Sequence, residues 1–298
     1  MNGISVLIPV YQHNPSVLIK ELYKQLSETP VLFEIRVLDD SSQTNYYEEW
    51  SAPLHILPNV SVNRLIENKG RAEIRNILVE QALYNWVLFL DADTHPCMDS
   101  YIQQFIPFLS ESIDAVCGGT AYRNSMNDSA HSLRWKYGKA REEKSAEQRN
   151  KCAFKHFTIN NLLIRKNCLV KFPLDISIKE YGHEDTLLGM VLERNGVRIK
   201  HIDNFVYHDG LDPNEVFVTK IIQSVYTLVD LYKNDKLTDD TKLIQLYKTI
   251  HSIRLDGIFL VLVKPVIPSI YKNLTSKKPF LLLLDILKIW HFIKQMRS

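Results

Sequence analysis

Trp86-Val87-Leu88-Phe89-Leu90-Asp91-Ala92-Asp93-Thr94 carries five consecutive apolar residues straight into two carboxylates one residue apart. A short apolar run bounded by a polar turn reads as a buried strand, and in an open α/β sheet ligands bind in the crevice beyond the carboxyl ends of such strands. Aspartates at i and i+2 can turn oxygens toward one hard divalent cation. They can equally cap the turn that follows the strand. Taken alone, the stretch leaves both readings open.

Working outward, the same pattern recurs upstream. Ile4 to Val10 is a second apolar run with Pro9 at its exit, followed by Leu18, Ile19, Leu22, Tyr23 and Leu26 at the three-to-four spacing of one helix face over Ser16 to Ser27. Phe33 to Leu38 is a strand ending in Asp39-Asp40-Ser41-Ser42, and Gln43 to Pro58 is a polar connection. Val60 to Val62 leads into Glu67-Asn68-Lys69-Gly70-Arg71, and a helix from Ala72 to about Tyr84 delivers the chain to Trp86. Strands alternating with helices predict a mainly parallel sheet covered on both faces. Parallel strands share an exit side, so the Pro9 turn, Asp39-Asp40 and Asp91-Ala92-Asp93 are expected along one crevice.

Downstream, the spacing predicts a helix over Met98 to Leu109, a strand over Ile113 to Cys117 closing in Gly118-Gly119, and a strand over Phe157 to Ile164. Tyr122 to Asn150 reads as a charged excursion with a helix near Ser129 to Arg149, suited to a lid. A helix from Thr186 to Arg194 follows, closed by Asn195-Gly196, then short strands at Val197 to His201 and Phe205 to His208. Long helical patterns begin at Pro213. The expected organisation is an α/β domain over residues 1–210, in two halves over 1 to about 120 and about 121–210, and a helical C-terminal region over 211–298.

The 298 residues are 45% hydrophobic and 23% charged, with a net charge of +2, which provides ample core and no electrostatic case for a nucleic-acid partner. Cys97, Cys117, Cys152 and Cys168 are far apart, without the close pairing of zinc or redox motifs, and are expected to be free. Met1-Asn2-Gly3 lacks a basic leader, which places the chain in the cytoplasm as an expectation. The apolar runs Ile258 to Val263 and Phe280 to Leu284 are cut by Lys264 and Asp285, short of the ~18–20 residues that span a bilayer. Residues 264–298 carry seven Lys or Arg against one Asp, among Leu, Ile, Phe and Trp290. These helices are expected either to pack on the α/β domain or to make peripheral contact with the anionic inner face of the plasma membrane.

The ordered series resembles the family-2 inverting glycosyltransferases with the GT-A fold. It comprises Ile4 to Tyr11, Val37-Leu38-Asp39-Asp40-Ser41-Ser42, Asn68-Lys69-Gly70-Arg71-Ala72 with Arg75-Asn76, Phe89 to Asp93, and Gly182-His183-Glu184-Asp185. The resemblance covers roughly residues 4 to 210 and implies a GT-A fold: α/β, Rossmann-like, with a mainly parallel central sheet flanked by helices and a helical C-terminal extension. It implies transfer of a hexosyl or N-acetylhexosaminyl group from a nucleoside-diphosphate-sugar, taken to be a UDP-sugar, to a hydroxyl of a glycan or lipid-linked acceptor in surface polysaccharide synthesis. On it, Asp185 is the general base, with Glu184 beside it. Pro9, Tyr11, Asp39, Asp40, Asn68, Gly70, Arg71, Arg75 and Asp91 bind the donor, and Asp91, Asp93 and His208 bind Mn2+ or Mg2+. Asp185 also suits an N-cap of the helix from Thr186. The family's usual glycine after the acidic pair is Ser41 here.

Rival readings make different demands. A haloacid-dehalogenase-type phosphatase wants Thr or Val four residues after the first Asp, where this chain has His95. A sugar-phosphate nucleotidylyltransferase wants a Gly-rich basic loop after the first strand, where this chain has Tyr11-Gln12-His13-Asn14-Pro15. A non-catalytic sugar-nucleotide binder or assembly protein of the same fold would not need both Asp91/Asp93 and Glu184/Asp185.

Overall fold

The computed structural model describes residues 3–125, 128–237 and 241–298. Met1 and Asn2 of the expected leaderless start, and Met126 and Asn127 of the expected excursion, lie outside them. The chain forms two compact units: residues up to Tyr122 with Glu142–Lys179 and Glu184–Gly210, and Arg123–Arg141 with Glu180–His183 and Leu211–Ser298. The helical unit thus takes in more than residues 211–298.

The first unit opens with β1 (Gly3–Val10), α1 (Ser16–Ser27), β2 (Leu32–Asp39) and α2 (Thr44–Ser51). It continues through β3 (Val60–Arg64), α3 (Arg71–Gln81), β4 (Trp86–Phe89), β5 (Thr94–Pro96), β6 (Ala115–Cys117) and β7 (Thr120–Ala121). The next helix, α4 (Ser132–Arg141), belongs to the second unit. Then follow α5 (Ala146–Asn150), β8 (Leu162–Arg165), α6 (Lys166–Lys171), α7 (Glu184–Arg194), β9 (Ile199–His201) and β10 (Val206–His208) in the first. The remainder of the second unit is α8 (Asn214–Lys233), α9 (Lys242–Ser252), α10 (Asp256–Val263), α11 (Ile267–Leu274) and α12 (Leu281–Met296).

Seven strands form a sheet in the order β3-β2-β1-β4-β8-β6-β9, parallel except where β8 runs antiparallel to β4 and β6. A second sheet orders β5-β10-β7. Alternation along β1 explains the two cores: Ile4, Val6 and Ile8 pack with Leu18, Ile19, Leu22 and Leu26 of α1, whereas Leu7 joins Ile74 and Leu78 of α3 and Leu188 and Leu192 of α7. Each such aliphatic side chain contributes about 1.5–3 kcal/mol on burial. β1, β2 and β4 therefore end at one edge, and the antiparallel β8 begins there, bringing Ile159, Asn160 and Asn161 to it.

Several expected elements differ. The connection Gln43 to Pro58 contains α2 and a 3-10 turn, because Trp50 and Leu54 are drawn into the core. Met98 to Leu109 is a set of turns ending in a 3-10 helix at Ile106–Leu109. Pro107 lacks the N–H a helix needs, and the Gln25 side chain instead binds Met98 O and Ile102 N at 3.2 and 3.0 Å. The strand expected over Phe157 to Ile164 is regular only over Leu162–Arg165.

The helix expected near Ser129 to Arg149 is broken. Tyr122 N donates to Glu143 at 2.7 Å, and Ser145 starts α5 with a capping box. Arg149 is buried, donating to Cys117 O, Gly118 O and Ile202 O. The Glu142–Asn150 half of the expected lid is thereby anchored in the first unit. None of the four cysteines is joined in a disulfide.

In the second unit Leu133 of α4 packs with Phe217 and Ile221 of α8 and Leu284 and Leu287 of α12, and Arg141 makes a bidentate pair with Asp285 at 2.7 and 2.6 Å. The apolar run expected to break at Lys264 instead continues, since Lys264–Val266 forms a 3-10 turn joining α10 to α11. Asp256–Leu274 is consequently long and apolar enough to cross a membrane, by length and composition only.

Candidate active site

The site is assembled at the edge where β1, β2 and β4 end. Asp39, the last residue of β2, is fully buried. Its Oδ1 accepts from Ser42 N and its Oδ2 from Ser42 Oγ, both at 2.7 Å, and Arg64 Nε lies 3.8 Å from Oδ1. The intervening Ser41 has φ +66°, so the turn keeps the left-handed conformation that glycine would adopt without strain. Asp40 holds the next loop: Oδ1 accepts from Lys69 N at 2.7 Å, Oδ2 from Gly70 N at 2.9 Å, and its carbonyl from Asn68 Nδ2 at 3.0 Å. Burial raises the Asp40 pKa, against the lowering by those two N–H donors. Both expected base-binding carboxylates are thus engaged within the protein. Tyr11, by contrast, is exposed and Pro9 half-buried, beside the left-handed Gln12 whose N donates to Ser42 Oγ at 2.7 Å.

The loop held by Asp40 delivers the chain to α3, with Gly70 at φ +83° on its N-cap. Positive helix N-terminal partial charge is thereby presented next to Lys69 and Arg71. Arg71 is half exposed, with Nη1 3.8 Å from Glu184 Oε1. One turn on, Arg75 is buried: Nη2 donates to Asp91 Oδ1 at 2.8 Å and Nη1 to Arg71 O at 3.2 Å, while Nε has no hydrogen-bond partner among the described residues.

Asp91 and Asp93 part ways beyond β4. Asp91 is turned to Arg75, and its N donates to Asn160 Oδ1 at 3.2 Å. Asp93 faces β10: its carbonyl accepts from Asp209 N and Gly210 N at 3.0 and 3.3 Å, and Oδ2 lies 3.9 Å from His208 Nε2. His208 stacks on Tyr122, with centroids 6.0 Å apart and planes at 15°, and its buried Nδ1 has no partner among the described residues. The Asp93 carboxylate and the His208 imidazole, 3.9 Å apart, are an oxygen and a nitrogen donor of the kinds a divalent cation such as Mn2+ takes. Asp91 does not join them: no group of three or more His, Cys, Asp or Glu gathers around a metal position among the described residues.

Glu184 and Asp185 open α7 behind two left-handed residues, Gly182 and His183, at φ +99° and +69°. Asp185 therefore lies one residue inside the helix and does not cap one starting at Thr186. Its Oδ2 accepts from Ile159 N at 3.1 Å. The residue keeps some solvent-facing surface but is surrounded by protein on most sides. Burial, then the negative charge of Glu184, pushes its carboxyl up to about 7, while Arg75 pulls it down.

Some participants escape sequence reading. Asn160 has no local signature, and its role depends on β8 running antiparallel. Neighbouring Asn161, at φ +61° and fully buried, accepts from Tyr101 OH at 2.7 Å and donates to Gly119 O and Asn204 O. Gly210 is required by space, since a Cβ there would fall on the Asp93 carboxylate. The Val206-Tyr207-His208-Asp209-Gly210 run offered that glycine as its only signal.

A mainly parallel sheet with acids at its strand exits and a second, smaller sheet behind them defines the GT-A class of fold. The structure is similar to mannosyltransferase PcManGT from Pyrobaculum calidifontis, solved with GDP-Man and Mn2+, at 17% identity and a TM-score of 0.53. That match covers 78% of this chain and 64% of that one. It is similar also to TarS of S. aureus, at 21% identity and a TM-score of 0.52, covering 87% of this chain and 45% of that one. For TarS 1-349 with UDP-GlcNAc the values are 17% identity and 0.51, with 99% and 91% covered. The chain thus spans less than two thirds of the mannosyltransferase and less than half of the longer TarS chain. No curated protein matches it in sequence. The chain belongs to glycosyl transferase family 2, whose model matches residues 5–167, more than half of its length.

Proposed function

We propose that the protein transfers a hexosyl or N-acetylhexosaminyl group from a UDP-sugar to a hydroxyl of a glycan or lipid-linked acceptor, with inversion, in surface polysaccharide synthesis. The observation that carries this reading is the setting of Asp185: a carboxyl of raised basicity at a helix entry, held by Ile159 N, with Glu184 and the Arg75–Asp91 pair acting on its charge. Membership of family 2 supports it, as do the nucleotide-sugars bound by the similar structures.

Inversion needs one carboxylate opposite the leaving group and no covalent intermediate. In this reading the acceptor oxygen bonds to the anomeric carbon as the bond from that carbon to the diphosphate oxygen breaks. The acceptor proton passes to Asp185, leaving a glycoside of inverted configuration and a nucleoside diphosphate. The N-terminus of α3, with Lys69 and Arg71, receives the diphosphate. Arg75 holds Asp91 through a 2.8 Å hydrogen bond and pulls the Asp185 pKa down, toward the ionised form that a base needs. A Mn2+ or Mg2+ ion held by Asp93 and His208 supplies, when bound, Lewis-acid stabilisation of the departing diphosphate.

A panel of UDP-, GDP- and dTDP-sugars incubated with the protein and Mn2+ tests the reading. Release of a nucleoside diphosphate from one donor is expected. No turnover and no nucleotide binding across the panel would overturn it, and release of pyrophosphate would reassign the chain to nucleotidyl transfer.

A further inference from the structure

The helical run Asp256–Leu274 presents two unlike sides. Leu255, Ile258, Leu262 and Val266 follow one another at three- and four-residue steps, so they share a face. All four are exposed, as is neighbouring Val261; Leu262 stands 68% and Val261 71% open, and α10 contains no buried residue. The other side is fastened to α12. Ile270 and Leu274 are buried with Leu284 and Leu287, Trp290 Nε1 donates to Leu260 O at 3.4 Å, and Arg297 Nη1 lies 3.2 Å from Asp256 Oδ2.

That attachment decides between spanning and lying on a bilayer. A crossing helix would have to take α12 with it, and α12 carries Asp285, Lys288 and Lys294. The exposed stripe is thus suited to an interfacial position, with one side in lipid and the other on its own unit. A row of exposed aliphatic side chains of this kind marks an interaction surface.

The charge around the stripe identifies the partner. Between Ile253 and Leu282 the cations Arg254, Lys264, Lys272, Lys277 and Lys278 are all exposed. The sole acid there, Asp256, is already faced by Arg297 and, at 3.6 Å, by His251 Nδ1. A second copy of the chain would bring the same cations against each other, whereas a bilayer bearing anionic headgroups would attract them.

We propose that α10 and α11 form a membrane-docking element that lays Leu255, Ile258, Val261, Leu262 and Val266 into an anionic phospholipid surface, with the surrounding lysines and Arg254 at headgroup level. It does not rest on the donor reading and would stand if that reading fell.

The test is co-sedimentation of the full chain with phosphatidylcholine vesicles, with and without phosphatidylglycerol. Binding is expected to the anionic vesicles and to weaken with added salt. Ile258→Glu with Leu262→Glu should weaken it by about tenfold or more, since two aliphatic side chains leave the lipid and two charges of the headgroups' own sign replace them. Lys277→Ala with Lys278→Ala should lower it about fivefold per cation. The substituted side chains are exposed, so circular-dichroism melts should match the parent. Equal binding by the folded Glu variants would overturn the proposal, as would no binding by the parent. A parent dimer in sedimentation velocity that the Glu variants abolish, without vesicle binding, would overturn it in favour of a second copy.

Discussion

Arg75 Nη2 donates to Asp91 Oδ1 at 2.8 Å, joining the first turns of α3 to the exit of β4 with a buried guanidinium. The two acids of one short motif thus meet different neighbours: Asp91 is paired with Arg75, and Asp93 Oδ2 lies 3.9 Å from His208 Nε2. Through its charge Arg75 also pulls the Asp185 pKa down.

Arg75→Met should therefore do two things. It removes the partner of Asp91, lowering stability by about 1–3 kcal/mol, less than for a fully buried pair because Asp91 is partly open to water. It also withdraws the charge that lowers the Asp185 pKa, so the acid limb of the kcat/KM profile should move to higher pH. Urea melts and pH–rate profiles check both. An unmoved limb would show that Arg75 serves stability alone.

The pH dependence has a definite sign. The Asp185 pKa is raised from 3.8 to about 7, chiefly by burial and then by Glu184. The folded state binds the proton more tightly than the unfolded chain, so this group's contribution to stability is present below the unfolded pKa and is lost as pH rises through the folded one. A base needs the ionised form, so activity should rise over the interval in which that stability falls. Glu184→Gln removes the like charge and should shift the acid limb of kcat/KM to lower pH. A shift upward, or none, would contradict the coupling.

At Gly210 the prediction concerns space. Gly210→Ala places a methyl group on the Asp93 carboxylate and should displace it from His208. Mn2+-dependent donor affinity, followed by calorimetry with and without the ion, should fall by about tenfold or more, the scale on which metal sites respond to disturbance of their supporting residues. Equal affinity with and without Mn2+ in the parent would remove Asp93 and His208 from any metal role.

Ser42→Ala tests the reading of Asp39 as a buried brace. The substitution removes the hydroxyl donor from a fully buried carboxylate and should lower stability by about 1–3 kcal/mol in denaturant unfolding. Nucleotide affinity should change little if Asp39 only shapes the turn.

Much of this arrangement is visible in the residue order. Apolar runs that end in acids declare parallel strands with a shared exit, and Asp39, Asp40, Asp91 and Asp93 fall where that rule puts them. What the acids do there is not local information. Asp39 and Ser42 are three residues apart, so their bond reads as an ordinary turn, whereas the Asp40 contacts with Lys69 and Gly70 depend on how β2 and β3 pair. Arg75 sits beside Ile74 on a helix whose periodicity says only that it faces inward. Asn160 needs the reversed direction of β8, and the turns after Met98 need Gln25, more than seventy residues earlier, to take up backbone groups that a helix would have satisfied itself.

The assignment of Asp185 as the base is tested most directly by Asp185→Asn, assayed with whichever donor the parent turns over and paired with a calorimetric donor Kd. Transfer is predicted to fall by about 10²–10⁴-fold while the Kd stays within about twofold, the signature of a lost general base. Transfer within about twofold of the parent at an unchanged Kd would contradict the account.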